Sequence, residues 1–454
     1  MAKKGLVKGA LILSSAGVIC HLLGVLFRIP LSNIVGNYGI GLYQLVFPLY
    51  ALLLIVSSAG IPVALSKMIA RVRDDRQQTK QIFVNALVVL FVIGAVITLA
   101  FLLLAQPIAS WQGKPEIWPL YLAIAPAVWF VCIISAYRGY FQGLNNMIPT
   151  AVSQIVEQVV KVGVGLGLAF WLIHYSILWA VFGAILAVAV SELVAVIMLA
   201  IVYLVREHRA RKRLGDEVQK THGKFWSLLS WQVIGCIFKI SAPIMVMSLA
   251  FPLVQLFDSF YVVNALKSNG VAQATELYGI ATGSVHTLIN VPSVVGVAIA
   301  TVMLPMVSRA FKQGDRQTMR QKSWTALGVF LLFGTAVAVG LFILPKFILT
   351  LLYGRAFAGR PEELATGILL LRIESWSVIL IGLTQVAGSI LQGCDHERVP
   401  MWALVSGGVV KILFEIFALK PLGIMAVSIA NVLCYAVALI ITGSVLIKLF
   451  VQRK

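Results

Sequence analysis

The sequence predicts an all-α polytopic membrane protein of about twelve transmembrane helices, arranged as two six-helix lobes related by a pseudo-two-fold axis along the membrane normal. Three observations carry this. The 454 residues are 60% hydrophobic and only 12% charged, with a mean hydropathy of +0.96, against roughly 45–50% apolar and about 25% charged in a soluble domain. Apolar runs long enough to cross a bilayer recur along the whole chain. Short motifs repeat on equivalent runs of the two halves.

Too few charges are present to cover a soluble surface, so lipid is the solvent. Unpaired backbone groups cannot stand in lipid, which forces helices, and about 20 apolar residues make one span. On that rule the spans fall near 9–33, 40–66, 82–105, 117–137, 150–172, 177–205, 232–260, 279–307, 324–345, 364–391, 401–418 and 423–447. The start MAKKGLVKGA is basic like a signal sequence. Its apolar run is too long for an h-region and lacks a small-x-small cleavage site, so a retained first span is expected.

The net charge of +19 reads as orientation once the bases are placed. Of the 36 Lys and Arg, 25 fall in loops on the N-terminal side, 6 in loops on the other side, and 5 inside spans: Arg28, Lys161, Lys239, Arg372 and Lys411. That asymmetry puts both termini in the cytoplasm and removes the need for a nucleic-acid partner. The five cysteines are isolated in or beside apolar runs, so neither a disulfide framework nor a metal site is implied.

The longest polar stretch, 206–224, divides the spans into an N-terminal lobe (1–205) and a C-terminal lobe (232–454), with 206–231 as basic linker and interfacial segment. Trp226 and Trp231 in FWSLLSW suit a helix lying at the headgroups; a solvated linker with no lipid role fits the same residues. FQG at 141–143 and LQG at 391–393 are each followed 18 residues after the glycine by Lys161 and Lys411, with Pro149 and Pro400 between. Ser66-Lys67 and Arg76-Gln77 after span two echo Ser308-Arg309 and Arg316-Gln317 after span eight. Six spans per half make the repeats parallel, which predicts a binding site between the lobes.

Ionisable groups at membrane depth cost a few kcal/mol each and need a partner, a wet cavity or a function. Glu157 with Lys161, and Lys411 with Glu415, are spaced i,i+4 and can close on one helix face as self-neutralising pairs. Arg372 and Glu374, spaced i,i+2, must look elsewhere. Arg28, in FRIPLSNIVG, has no acid in its own span and a helix-breaking proline two residues on, which suits an anion-receiving cavity; snorkelling to the headgroups is the alternative. His21 lies seven residues earlier on about the same face. Asp258 is either a coupling site for a cation or proton or a polar cap, Glu192 is a further buried acid, and Lys239 is a base looking for an acid on another helix. Pro30, Pro48, Pro62, Pro126, Pro243, Pro252, Pro292 and Pro305 offer kink sites for moving lobes.

No P-loop, HExxH or GxSxG motif occurs, and no extramembrane segment exceeds about 20 residues, so no enzyme or ATPase domain and no bound cofactor is expected. The string GVLFRIPLSNIVGNYGIGLYQLVFPLYALLLIVSSAGIPVALSKMIA (24–70), with PLVQLFDSFYVVNAL, ATELYGIATG and 290–315, resembles the stage V sporulation protein B and YtgP-like polysaccharide transporters. These belong to the multidrug/oligosaccharidyl-lipid/polysaccharide (MOP) exporter superfamily, which also holds MATE exporters and the MurJ-related lipid II flippases. The resemblance implies two six-helix lobes around a central cavity. It implies translocation of an undecaprenyl-pyrophosphate-linked cell-wall precursor, lipid II first, from the inner to the outer leaflet of the bacterial cytoplasmic membrane by alternating access. Cavity arginines matter in that group; Arg28 matches the one on span one, spans two and eight offer none, and His21 stands where another base is expected. Typical members also have two further C-terminal spans, which this sequence does not contain.

Implied partners are an undecaprenyl-linked glycolipid, membrane lipids and cell-wall synthesis enzymes, with a proton gradient, a sodium gradient or the membrane potential as energy source. On this reading Arg28, His21, Lys161, Lys239, Arg372 and Lys411 bind substrate, and Glu157, Asp258, Glu374 and Glu415 couple or pair charges. The rivals are a flippase for another lipid-linked polysaccharide, a cation-coupled drug exporter of the same fold, and a non-transporting scaffold for wall-synthesis enzymes.

Overall fold

The computed structural model describes residues 2–58, 60–214 and 230–451, and among these every regular element is helical. In chain order the helices are α1 (Ala2–Ser58), α2 (Ile61–Arg71), α3 (Arg76–Trp111), α4 (Trp118–Gly143), α5 (Ile148–Leu172), α6 (Ile177–Leu214), α7 (Trp231–Ser268) and α8 (Ala274–Tyr278). They continue as α9 (His286–Lys312), α10 (Arg316–Ile343), α11 (Pro345–Tyr353), α12 (Pro361–Glu374), α13 (Ser377–Gly393), α14 (Arg398–Leu422) and α15 (Met425–Val451). A π-helical stretch, Gly279–Val285, joins α8 to α9.

Among the described residues ten stretches are long and apolar enough to cross a membrane; one of them, Ser15–Arg71, covers two expected spans, and α7 covers the seventh. The chain is a multi-pass, all-α membrane protein, as its composition requires. Three departures have local causes. The expected tenth span breaks into α12 and α13 just after Glu374, where the Ser375 hydroxyl donates to the Arg372 carbonyl at 2.8 Å and competes with the helix ladder. Pro345, at a first helical position where its missing N–H costs nothing, opens the unforeseen α11. The expected linker begins as helix: α6 runs to Leu214 on good helix formers, with Glu207 held by Arg76 at 2.7 Å. The rest of that linker and most of the FWSLLSW segment lie outside the described residues; Trp231 itself opens α7. Among the expected kink sites, Pro126, Pro292 and Pro305 sit inside continuous helices, and Pro62 falls at the start of α2.

Packing groups the chain into two units that differ from the expected 1–205 and 232–454 lobes. One unit comprises Met1–Gly24 and Val46–Leu249, the other Val25–Leu45 and Ala250–Lys454. The first half of α7 thus packs with the N-terminal helices and the middle of α1 with the C-terminal ones. The second assignment has visible causes. Gly41 approaches α8 so closely that a Cβ there would stand 2.2 Å from the Thr275 carbonyl oxygen, and one on Gly279 would stand 2.2 Å from that of Asn37. Small residues at helix crossings let backbones meet in this way. Gln44 Nε2 donates to the Thr282 carbonyl of the π-helical stretch at 2.6 Å. Asn33 donates to the Leu352 carbonyl at 2.7 Å and accepts from the Arg355 amide at 3.2 Å, and Asn37 donates to Glu363 at 2.7 Å. Between these two asparagines the helix is interrupted at Gly36, whose φ of 70° is the region open to glycine.

Gly41→Ala should therefore destabilise the protein by about 1–3 kcal/mol through overpacking. Gly163→Ala on α5, where an added Cβ meets nothing within 4 Å, should be neutral or slightly stabilising. Paired thermal melts in detergent check the difference.

Inside the first unit, Phe83 of α3 anchors an aromatic cluster with Tyr137, Tyr140 and Tyr203 at centroid distances of 5.3, 4.8 and 4.7 Å. The motif repeats have structural counterparts within each unit. Gly143 of FQG lets α4 press on Ile69 of α2, a Cβ there falling 2.7 Å from its Cβ, and Gly393 of LQG presses on Val307 of α9 at 3.0 Å. The second echo is a pair of helix caps. Asp75 accepts from the Gln78 amide at 3.0 Å, and Asp315 accepts from the Thr318 amide at 2.9 Å, opening α3 and α10. Hydrogen bonds from Thr318 hold the Asp315 carboxyl below its ordinary value.

Candidate functional site

Arg28 lies half-buried on the part of α1 that packs with the second unit. Its Nη1 donates to the Thr287 hydroxyl at 3.4 Å, and that hydroxyl donates back to the Gly283 carbonyl in the π-helical stretch. Tyr43 and Tyr353, both buried, lie within electrostatic reach of the guanidinium. Ser32, one turn on along the same helix face, and Tyr353 carry buried hydroxyl oxygens without a hydrogen-bond partner among the described residues. A guanidinium set near neutral hydroxyls is chemistry suited to a phosphate oxygen, which can take hydrogen bonds from both. Thr287 escaped the sequence reading because a threonine in an apolar run gives no signal of its own.

Lys411, expected to offer its charge to substrate, lies in a buried ionic cluster. Its ammonium is held by Asp258 of α7, with Glu415 of its own helix at 3.7 Å, and all three side chains are at least nine-tenths buried. The i,i+4 pair forms as expected, but a third member joins it from another helix. One ammonium is shared between two carboxyls here, so its charge is engaged within the cluster.

Glu374, fully buried at the end of α12, receives Asn431 Nδ2 of α15 on Oε1 at 3.2 Å. Its Oε2 faces His286 Nδ1, the first residue of α9, at 3.8 Å. Arg372 points away and is exposed, in keeping with its i,i+2 spacing. His286 and Asn431 were missed: each is a single polar residue in a long apolar run, and their meeting with Glu374 depends on contacts across helices.

In the first unit Glu157 takes a partner that the sequence reading put in a loop. Arg138, inside α4, reaches Glu157 at 2.9 Å and the Ser153 hydroxyl at 3.1 Å. Glu157 on α5 thus takes a base from α4, and Lys161 stands half-buried four residues on. Glu192 of α6, buried, receives the Tyr50 hydroxyl at 3.5 Å and lies in electrostatic reach of Glu157, Arg138 and Lys161. His21 and Lys239 are exposed, and both fall in this unit while Arg28 falls in the other. Among the described residues no group of three His, Cys, Asp or Glu side chains could hold a metal ion.

This fold is that of solved MATE structures. An inward-facing multidrug resistance MATE family transporter of the MOP superfamily superimposes with a TM-score of 0.73 over 97% of this chain and 98% of that one, at 13% identity. The class this defines is the MATE/MOP fold. Residues 6–311 match the family described as polysaccharide biosynthesis protein, and residues 243–417 match the MatE family. The chain belongs to the polysaccharide biosynthesis protein family. Stage V sporulation protein B of Bacillus subtilis (strain 168) is 30% identical over 99% of this chain and 83% of its own. The lipid II flippase MurJ of the same organism is 26% identical over 98% of this chain and 82% of its own. The likeness carried by the FRIPL to SKMIA string is thus borne out at the level of family and fold.

Proposed function

We propose that this protein is a flippase that carries an undecaprenyl-pyrophosphate-linked cell-wall precursor, lipid II in the first instance, from the inner to the outer leaflet by alternating access. It is a transporter without catalytic chemistry of its own, working in a bacterial inner membrane with both termini in the cytoplasm. The charge asymmetry of the loops supports that orientation. The observation that carries the substrate class is Arg28, a guanidinium at membrane depth bonded to a buried hydroxyl on α9. A diphosphate head group is an anion that must cross while its tail stays in lipid, and such a cation lowers the barrier. The similarity to stage V sporulation protein B and to a lipid II flippase supports the same class.

Two measurements test it. Purified protein in liposomes should move fluorescent lipid II between leaflets, and the gene should restore growth to a strain depleted of its lipid II flippase. Movement of another undecaprenyl-linked glycan without lipid II would replace the substrate and keep the mechanism. Export of organic cations with no lipid movement would establish the drug exporter, and rescue by a chain with its intramembrane charges neutralised would establish the scaffold.

A further inference from the structure

We propose that His286 and Glu374 form a single-proton site in the second unit, through which proton binding is coupled to transport. The two groups come together by construction rather than by sequence proximity. The π-helical stretch Gly279–Val285 ends on His286, and π-turns shift side-chain register relative to a regular helix. That register sets the imidazole against the last residue of α12. Glu374 Oε2 and His286 Nδ1 face each other at 3.8 Å, and neither has a hydrogen-bond partner among the described residues. The Glu374 side chain is wholly buried, and its other oxygen is occupied by Asn431.

A buried ionised carboxylate needs a compensating charge or a proton. With no proton the pair is a net anion with one amide for support. With one proton it is neutral, either as imidazolium against carboxylate or as imidazole against carboxylic acid. The proton comes from water, rests on His286 Nδ1 or Glu374 Oε2, and returns to water, so each cycle adds and removes one positive charge. Imidazole chemistry makes the ligand a proton and not a sodium ion, which prefers oxygen donors.

The other ionisable groups around the pair leave this balance intact. From α15 the Tyr435 phenol lies in electrostatic reach of Glu374, and also of Lys411 in the Asp258–Lys411–Glu415 cluster. From α8 Tyr278 lies in electrostatic reach of that cluster, and from α11 Tyr353 lies in electrostatic reach of Arg28. Helix α13 and residues 325–343 of α10 carry no ionisable side chain. Arg372 on α12 is exposed. His286 precedes Thr287, the residue that takes the Arg28 hydrogen bond, so the protonation state is registered one residue from the proposed substrate contact.

The coupling role rests on the transporter reading above, whereas proton binding does not, and the experiment separates them. Infrared difference spectra of the purified full chain, titrated over about pH 5 to 8 where histidine ordinarily changes charge, should show a carboxyl or carboxylate band that is lost in Glu374→Gln and moved in His286→Asn. Titration with sodium at fixed pH should leave it unchanged. In liposomes, an imposed pH gradient should alter lipid movement by the parent and lose its effect in Glu374→Gln, a near-isosteric change that keeps an oxygen for Asn431. A spectrum unaffected by either substitution would overturn the site even if lipid movement is normal. A titrating band with lipid movement indifferent to the gradient would overturn the coupling, and absence of all lipid movement would strike the flippase reading alone.

Discussion

Arg28→Ala should slow leaflet-to-leaflet movement of a diphosphate-linked lipid by roughly ten- to hundredfold, the worth of one or two charge-assisted hydrogen bonds to a buried anion. The fold should be unaffected, because Asn33, Asn37 and Gln44 still tie the same segment of α1 into its unit. Arg28→Lys should recover part of the rate, since it keeps the charge and loses the planar fork that meets a phosphate through two oxygens. Thr287→Val should act in the same direction with a smaller effect, as it removes the hydroxyl that receives Nη1 at 3.4 Å and nearly keeps the volume. Initial rates in liposomes, normalised to the amount of folded protein, measure the series. Equal rates for Arg28→Ala and the parent would remove Arg28 from the transport path and leave its polar contacts as mere accommodation of a charge in an apolar fold.

What the sequence made legible follows from which interactions are local. Span positions are written in composition, because lipid admits few alternatives to an apolar helix, and the helices fall where those runs do. The i,i+4 pair of Lys411 and Glu415 is local geometry and forms. Its third member, Asp258, sits 153 residues away, and no pattern in the chain announces that meeting. The same holds for Arg138 with Glu157. Arg138 ends an apolar run and reads as a loop base, until α4 is seen to run on to Gly143 and bring it beside α5. The assignment of residues 25–45 to the second unit was the least legible feature. It depends on glycine-to-backbone approaches at Gly41 and Gly279 and on asparagine side chains bonding to main chain more than 300 residues distant. His286 was hidden for a further reason: regular helical periodicity assigns it the wrong face once a π-turn precedes it.

Lys411→Met should be the most destabilising single change in the second unit. Removing the ammonium leaves Asp258 and Glu415 facing each other in a site where all three side chains are at least nine-tenths buried. Breaking a buried ion pair by deleting one partner typically costs about 3–5 kcal/mol, because the remaining charge has lost its compensation, whereas removing every charge together is often neutral. Combining Lys411→Met with Asp258→Asn and Glu415→Gln is therefore expected to restore most of the lost stability. Cys132, Cys394 and Cys434 are buried free thiols, so a thiol-reactive fluorophore reports unfolding directly, with the exposed Cys236 replaced by serine to lower the background. Lipid movement by the triple variant then assigns the cluster its role. If stability and transport return together, the three groups exist to neutralise one another. If stability returns and transport does not, the excess acid in this cluster belongs to the coupling machinery, and the His286–Glu374 pair acts alongside it.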